Sequence, residues 1–324
     1  MHRKLIYFAA VLIILVPALI IYSNQSDQNK LPVIAIANYG PHSSLEATIY
    51  GFKAQMHDSG FVEDQNIHYE IADVGFDPAL IPQMILSLKA KNPKMMLVMA
   101  TPIAQAAKHK IHNIPLIYTA ITDPVEAGLL KEKHQANDNI SGSSDMQDLT
   151  AFLKFVISLL PTAKKVGVLY STSEANDTAL VNMMRKSASS LDMSVIAVPV
   201  EQVRDVQTRV QALKDKVDFI YVGTSGAIQP ALPTIAAEAR KMHIPVFNVE
   251  DQAVKDGIAL ASFGINYTTV GKNAGKLAVK VLQGQKINDL APLYPSAEEH
   301  HAVINKKLAV EYSITIPPYV EVVG

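Results

Sequence analysis

Ile114-Pro115-Leu116-Ile117, followed by Asp123 and Gly128, is echoed by Ile244-Pro245-Val246-Phe247, followed by Asp251 and Gly257. Two further apolar runs keep the same order around each copy. Val33 to Ala37, ahead of Asn38-Tyr39, matches Val166 to Tyr170 ahead of Ser171; Met95 to Ala100, ahead of Thr101, matches Phe219 to Gly223 ahead of Thr224. Each run is short, rich in Val, Ile and Leu, and gives way to a small or polar residue where a helical pattern begins. Buried parallel strands read this way because helices cover both faces of their sheet. The repetition predicts an α/β chain with two doubly wound parallel-sheet lobes. A cleft between such lobes, at the carboxyl ends of the strands, is a place to bind a small molecule.

The bulk numbers agree. A chain of 324 residues accommodates two domains of about 100 to 150 residues, and 49% hydrophobic content supplies both cores. A net charge of −1 with 18% charged residues calls for no nucleic acid or polyanion. The absence of cysteine excludes disulfides, thiolate zinc sites, cysteine nucleophiles and a lipid-bearing cysteine. The amino terminus reads as a targeting segment: His2-Arg3-Lys4 is basic, Leu5 to Tyr22 is apolar and broken only by Pro17, and Ser23 to Lys30 is a polar spacer. Its length lies between that of a signal-peptide core and that of a membrane span. We read it as an export signal cleaved near Ser23, the alternative being an uncleaved inner-membrane anchor. Both place the rest of the chain in the periplasm or another extracytoplasmic space.

In the first lobe the pattern predicts strands at 33–38, 67–73, 95–100 and 115–121, with helices over 44–58, 79–91 and 102–110. Ser43 and Ser44 stand where a helix cap is expected, and Gly60 where a left-handed cap ends that helix. A strand at 139–145 leads across to the other lobe. There the pattern predicts helices at 148–160, 174–190, 203–214 and 228–242, and strands at 165–170, 193–199, 219–223, 245–249 and 258–263. A last helix, 268–282, and the tail from Val303 to Pro318 complete the lobes and add hinge crossings. Strict alternation of strand and helix makes both sheets parallel. The expected division is a leader and spacer, 1–30; an N-terminal lobe, 31–142 and about 264–294; and a C-terminal lobe, 143–263 and about 295–324. Several crossings make the joint a hinge.

Tempting motifs fail on chemistry. Gly271-Lys272-Asn273-Ala274-Gly275-Lys276 has too few residues between its glycines for a phosphate loop, and Leu277 stands where a Ser or Thr must hold magnesium. It reads instead as small residues that let a helix pack closely. Gly223-Thr224-Ser225-Gly226 misses nucleophile-elbow spacing by one residue. His300-His301 and His109 with His112 form no metal-binding motif and read as solvated loop or helix-surface residues. The chain is therefore expected to be no enzyme and to carry no cofactor or metal.

What remains is a set of polar residues just after the strands. In the first lobe these are Asn38, Tyr39, His42, Ser43, Ser44, Thr101, Pro102, Thr119 and Asp123. In the second they are Ser171, Ser173, Glu174, Asn176, Thr224, Ser225, Asn248, Glu250 and Asp251. Such residues are also ordinary caps and turn formers. Hydroxyls and free helix-start N–H groups hold a carboxylate, and a carboxylate side chain holds an ammonium. Asp123 and Glu250 are the expected ammonium partners, with Tyr39 and Phe263 as apolar walls. The complement of the set is an amino acid or related zwitterion.

Longer stretches carry a resemblance. Ala100-Thr101-Pro102-Ile103-Ala104-Gln105, Thr119 through Leu129 with its Thr122-Asp123-Pro124-Val125-Glu126-Ala127-Gly128 core, Asn139-Ile140-Ser141-Gly142, Lys165 through Tyr170, Ser173-Glu174-Ala175-Asn176 and Ile314-Thr315-Ile316-Pro317-Pro318 resemble ABC-transporter substrate-binding proteins of the tryptophan-binding type. The resemblance runs from Leu31 to Pro318. It implies a type I periplasmic-binding-protein fold, a small-molecule ligand and a membrane permease as partner. Two departures stand out. Thr224-Ser225-Gly226 replaces a frequent Thr-Asp-Asn, so a carboxylate that could face an ammonium is missing there and Ser225 marks a different specificity. No lipobox cysteine follows the leader. The reading that results is an exported solute-binding protein of an ABC importer, the alternative being a membrane-tethered sensory or accessory ligand-binding subunit.

Overall fold

The computed structural model describes residues 31–324, so the leader and spacer expected over 1–30 lie outside the described residues. The first sheet holds β1 (Val33–Asn38), β2 (His68–Asp73), β3 (Met95–Met99), β4 (Leu116–Ile121) and β5 (Ile140–Ser144), all parallel, in the order β2-β1-β3-β4-β5. The second holds β6 (Lys165–Tyr170), β7 (Ser194–Pro199), β8 (Phe219–Val222), β9 (Val246–Asn248) and β10 (Ala261–Ile265), and it repeats that order as β7-β6-β8-β9-β10. The sequence echo is therefore a repeat of topology. Gly128 and Gly257, equivalent in the echo, both take φ of +70°, where a side chain would be strained.

The helices are α1 (Ser43–Asp58), α2 (Ile81–Ala90), α3 (Thr101–Lys110), α4 (Leu149–Leu159), α5 (Ala175–Ser189), α6 (Val206–Gln211), α7 (Leu232–Lys241), α8 (Asp251–Lys255), α9 (Tyr267–Leu282) and α10 (Lys306–Glu311). One apolar core surrounds the first sheet and takes in Ala274, Leu277 and Ala278 from α9. Two cores flank the second sheet: Phe152 packs on Phe219, Tyr221 and Phe247 on one face, while Ile220, Val222 and Ile235 fill the other. Runs with no polar face are the consequence of burial on both sides.

The chain passes between the lobes after β5, after β10, and again between α9 and β11 (His300–Asn305). On the third pass Leu293 pairs beside β5, its N–H donating to the Gly142 carbonyl at 2.9 Å. The joint is thus a hinge of several strands. Between the second and third passes, α9 returns to lie on α1 with almost no space between backbones: a Cβ at Gly271 would stand 2.0 Å from the Thr48 carbonyl oxygen, and one at Gly51 2.0 Å from that of Thr268. The Gly271 to Gly275 stretch is a close-packing surface.

Several expectations are corrected. The second sheet is not wholly parallel, because β11 runs antiparallel to β10 and then pairs with β12 (Glu321–Val323). The strand expected at 258–263 begins at Ala261, since 258–260 form the turn after α8. The helix expected over 203–214 shortens to α6 behind a 3-10 turn, and α7 starts late because Pro230 and Pro233 punctuate its approach. His300 and His301 lie in β11 rather than a solvated loop. Ser43 and Ser44 are inside α1, whose cap position is taken by His42 with no side-chain capping bond. Gly60 does take the left-handed conformation expected of it, at φ +87°.

Candidate functional site

The two repeats aim the carboxyl ends of β1, β3 and β4 at those of β6, β8 and β9, and the gap between them encloses about 520 Å³ that no atom fills, part of it open to solvent. On the first-lobe side, the turn after β1 is fixed by Asn38, whose Oδ1 accepts the Tyr39 N–H at 2.9 Å and whose amide donates to the Gly40 carbonyl at 2.9 Å. A Cβ at Gly40 would lie 2.7 Å from the Phe76 ring. Without one, Phe76 reaches Tyr39 edge-on, with ring centroids 5.4 Å apart. Both rings line the cavity. Two lining alanines, Ala100 before α3 and Ala120 at the β4 bulge, take φ of +67° and +54°. Ala100, with ψ of 153°, sits in a region normally left to glycine, and such strain gathers at ligand sites.

The second-lobe side is acidic. Asp177, fully buried in the first turn of α5, accepts from the Ser171 N–H at 2.6 Å, the Ser225 hydroxyl at 2.7 Å and the Asn176 amide at 3.1 Å. Burial, with Glu174 beside it, pushes Asp177 up to about 8. Burial also raises Glu174, against the N–H of Gly226 (3.0 Å), the Asn176 amide and the Tyr39 hydroxyl, which all donate to it. Glu250 is raised by burial too, opposed by His42 at 3.3 Å and by the Ser43 hydroxyl, which donates across the cleft at 3.0 Å. Thr122 and Thr224 also meet across it at 3.0 Å. Between the walls, Asp145 and Tyr267 line the cavity from the first two hinge passages, and the Tyr267 hydroxyl donates to Asp145 Oδ2 at 3.1 Å. Burial pushes Asp145 up to about 6 despite that bond. Two buried acceptors of this lining, Asp145 Oδ1 and Asn176 Oδ1, have no protein donor.

Of the residues named from sequence, Tyr39, His42, Ser44, Thr101, Pro102, Glu174, Asn176, Thr224, Ser225 and Glu250 come together on the cavity wall. The others lie behind or beside it. Asn248 Oδ1 accepts the Glu250 N–H at 2.8 Å and so orients it. Ser171 and Ser173 bond each other at 2.8 Å, and Thr119 is buried within β4. Asp123 is turned onto its own loop, accepting the N–H groups of Val125 and Glu126 at 2.9 and 3.1 Å. Asp251, its partner in the echo, bonds Ser262 at 2.7 Å and His301 at 2.6 Å; burial would raise it, but these bonds hold it below the ordinary carboxylate range. Phe263 stacks on His300 with centroids 5.8 Å apart and forms no wall of the cavity. Sequence reasoning missed Leu45, Phe76, Ala120, Thr122, Asp145, Gly226, Gln229 and Tyr267. Asp145 was within reach, since it closes the predicted strand 139–145 and the rule applied to the other strand ends picks it out.

Residues 33–323 match the family model described as ABC transporter substrate binding protein. The chain belongs to that family. A tyrosine-binding protein of Clostridioides difficile (strain R20291) is 31% identical over 284 residues, covering 88% of this chain and 81% of that one. The ABC domain from Streptococcus pneumonia solved in complex with L-Trp is 28% identical with a TM-score of 0.85, covering 91% of this chain and all of that one. The ligand-free, open structure of a Clostridium difficile substrate-binding protein with adhesive properties is also 28% identical, covering 90% and 99%, but its TM-score is 0.71. At equal identity, the chain as a whole superposes better on the L-Trp complex than on the open, ligand-free structure. The fold is that of type I periplasmic binding proteins, and the family model and the tyrosine-binding relative both describe solute-binding proteins.

Proposed function

We propose that this protein is the extracytoplasmic solute-binding component of an ABC importer, and that it closes on an amino acid. The charge of the cavity carries the reading. Among the described residues, Asp145, Glu174 and Glu250 line it and no Lys or Arg does. Carboxylates moved out of water need a cation or a proton, and a ligand's ammonium group supplies the cation that no Lys or Arg provides there. Its carboxylate meets hydroxyls and helix-start N–H groups at α1 and α3, where Ser44 and Thr101 stand and the helix dipole favours negative charge. Tyr39, Phe76 and Leu45 offer an apolar wall to its side chain. The tyrosine- and tryptophan-related names of the relatives accord with this chemistry.

Ser225 is spent on Asp177, so the family departure acts through Gly226, which faces Tyr39. The closed form is what a membrane permease receives, and residues 1–30 deliver the protein to the far side of the membrane. The twenty amino acids, simple sugars and purines, screened by thermal shift, test the reading. A ligand at 100 times its Kd stabilises the fold by about 2.7 kcal/mol, which is visible as a higher melting temperature. A shift from a sugar or nucleoside with none from any amino acid refutes it.

A further inference from the structure

We propose that Asp145 receives the ligand's ammonium group and that Tyr267 positions it there, which ties ligand contact to the hinge. The inference rests on the amino-acid reading above and names the residue at its centre. Three observations lead to it.

The first is hydrogen-bond supply. Glu174 and Glu250 also line the cavity, yet both oxygens of each already have protein partners: Tyr39, Asn176 and the Gly226 N–H for Glu174, and Ser43 and His42 for Glu250. Asp145 differs. It is 2% exposed, its Oδ2 accepts from Tyr267, and its Oδ1 has no donor. A buried carboxylate oxygen left without a donor is costly and rare in folded proteins. An ammonium carries both the missing N–H and the missing charge.

The second is a matching acceptor on the opposite wall. Asn176 donates to Asp177 and to the Thr224 carbonyl, which fixes its amide orientation and leaves Oδ1 unpartnered at the cavity. An ammonium has three N–H donors, enough in number for both acceptors. The arrangement excludes a ligand that offers only acceptors at this end.

The third is placement. Asp145 lies on the first passage between the lobes, directly after β5, and Tyr267 directly follows the second, at the start of α9. Their bond therefore links two of the hinge strands. Tyr267 is itself held by packing with Ile265, Val270, Ala47 and Ala120. An ammonium that touches Asp145 on the hinge and Asn176 on the second lobe is bound better when the lobes are shut, and only such a difference in affinity can drive closing.

The test is calorimetric titration of the wild-type, Asp145→Asn and Tyr267→Phe proteins. The probes are L-tyrosine and L-tryptophan, each beside its des-amino analogue, 3-(4-hydroxyphenyl)propanoate and 3-(indol-3-yl)propanoate. If another amino acid gives the largest melting shift, it and its des-amino analogue replace these pairs. Wild type is expected to prefer the amino acid. Asp145→Asn removes the charge and keeps the shape, and losing one partner of a buried charged pair weakens amino-acid binding by about 30-fold or more. Binding of the des-amino acid holds or improves, so the preference collapses. Tyr267→Phe keeps the ring and lowers the preference by about tenfold, the loss of one charge-assisted hydrogen bond. A purely structural role would weaken both members of a pair alike. An unchanged preference in Asp145→Asn overturns the assignment while leaving the amino-acid reading intact, and an unchanged preference in Tyr267→Phe overturns the positioning role. Wild type that binds none of the twenty amino acids defeats the reading itself and the inference with it.

Discussion

Gly226→Ala isolates closure from folding. A Cβ at Gly226 would stand 2.4 Å from Tyr39 Cε1, 2.9 Å from its Cδ1 and 3.0 Å from Glu174 Oε1. Gly226 belongs to the second lobe and Tyr39 to the first, so the collision with the ring exists only when the lobes are shut. The glycine's φ lies outside the left-handed region, so alanine adds no backbone strain. The third contact, Glu174 Oε1, is the far end of a side chain in the same lobe and can swing aside, so the overpacking cost of about 1–3 kcal/mol falls mainly on the closed state, and that weakens the ligand's Kd by about 5- to 150-fold. The unliganded melting temperature is expected to stay within a degree or two of wild type. Titration calorimetry reads the affinity. Small-angle scattering reads the radius of gyration, which shrinks with saturating ligand in wild type and less in the variant. In a Tyr39→Ala background the same substitution should cost almost nothing, because the atom it strikes is gone. Wild-type affinity in the single variant, or the same loss in both backgrounds, refutes the idea that the ring of Tyr39 docks on Gly226 as the lobes shut.

Two further outcomes follow from the same structure. Asp177, raised to about 8, and Asp145, raised to about 6, hold protons more tightly folded than unfolded, so the stability they contribute is present at low pH and is lost as pH rises through those values; the unliganded melting temperature is expected to fall from pH 5 to 9, less steeply at the alkaline end in Asp177→Asn, and a melt that rises over that range contradicts the assignment. Gly51→Ala drives a Cβ into the Thr268 backbone carbonyl at 2.0 Å, where nothing flexible can yield; a loss of about 1–3 kcal/mol should appear as a lower melting temperature, and an unchanged melt would mean that α1 and α9 are not locked at that spacing.

The lobes were legible because apolar periodicity and glycine position are local facts. Val33 to Ala37 and Val166 to Tyr170 are uniformly apolar since each strand is covered on both faces, and that shows without any neighbour. The antiparallel β11 was not legible. His300 and His301 look like surface residues until Asp251 and Phe263, some 40 to 50 positions earlier, are brought beside them. On the cavity wall, Tyr39, Glu174 and Asn176 were reachable from sequence because strand ends face the cleft. Asp123 looked equivalent to Asp251, but the Pro124 turn folds it onto its own backbone, and which polar residue faces a cavity and which caps a loop is decided by side-chain torsions that spacing does not encode. Tyr267 and Phe76 carry no polar signature. Their places come from packing: Gly40 makes room for Phe76, and the left-handed Ala120 lets β4 reach Tyr267.

The two jaws share one strand order, yet their linings differ in kind. The first contributes Tyr39, Phe76, Leu45, Ala100 and Pro102 to the cavity; the second contributes Glu174, Asn176 and Glu250. These act at different ranges. A carboxylate pulls on a cation across roughly a Debye length, about 8–10 Å at ordinary ionic strength, whereas an aromatic face gains nothing until it touches. On the proposed reading, capture has an order: the carboxylates of the second lobe draw in an amine from a distance, Asp145 at the joint seats it, and the aromatic wall of the first lobe tests what trails behind. A duplicated frame has become a sequence of two questions, the first about charge and the second about shape.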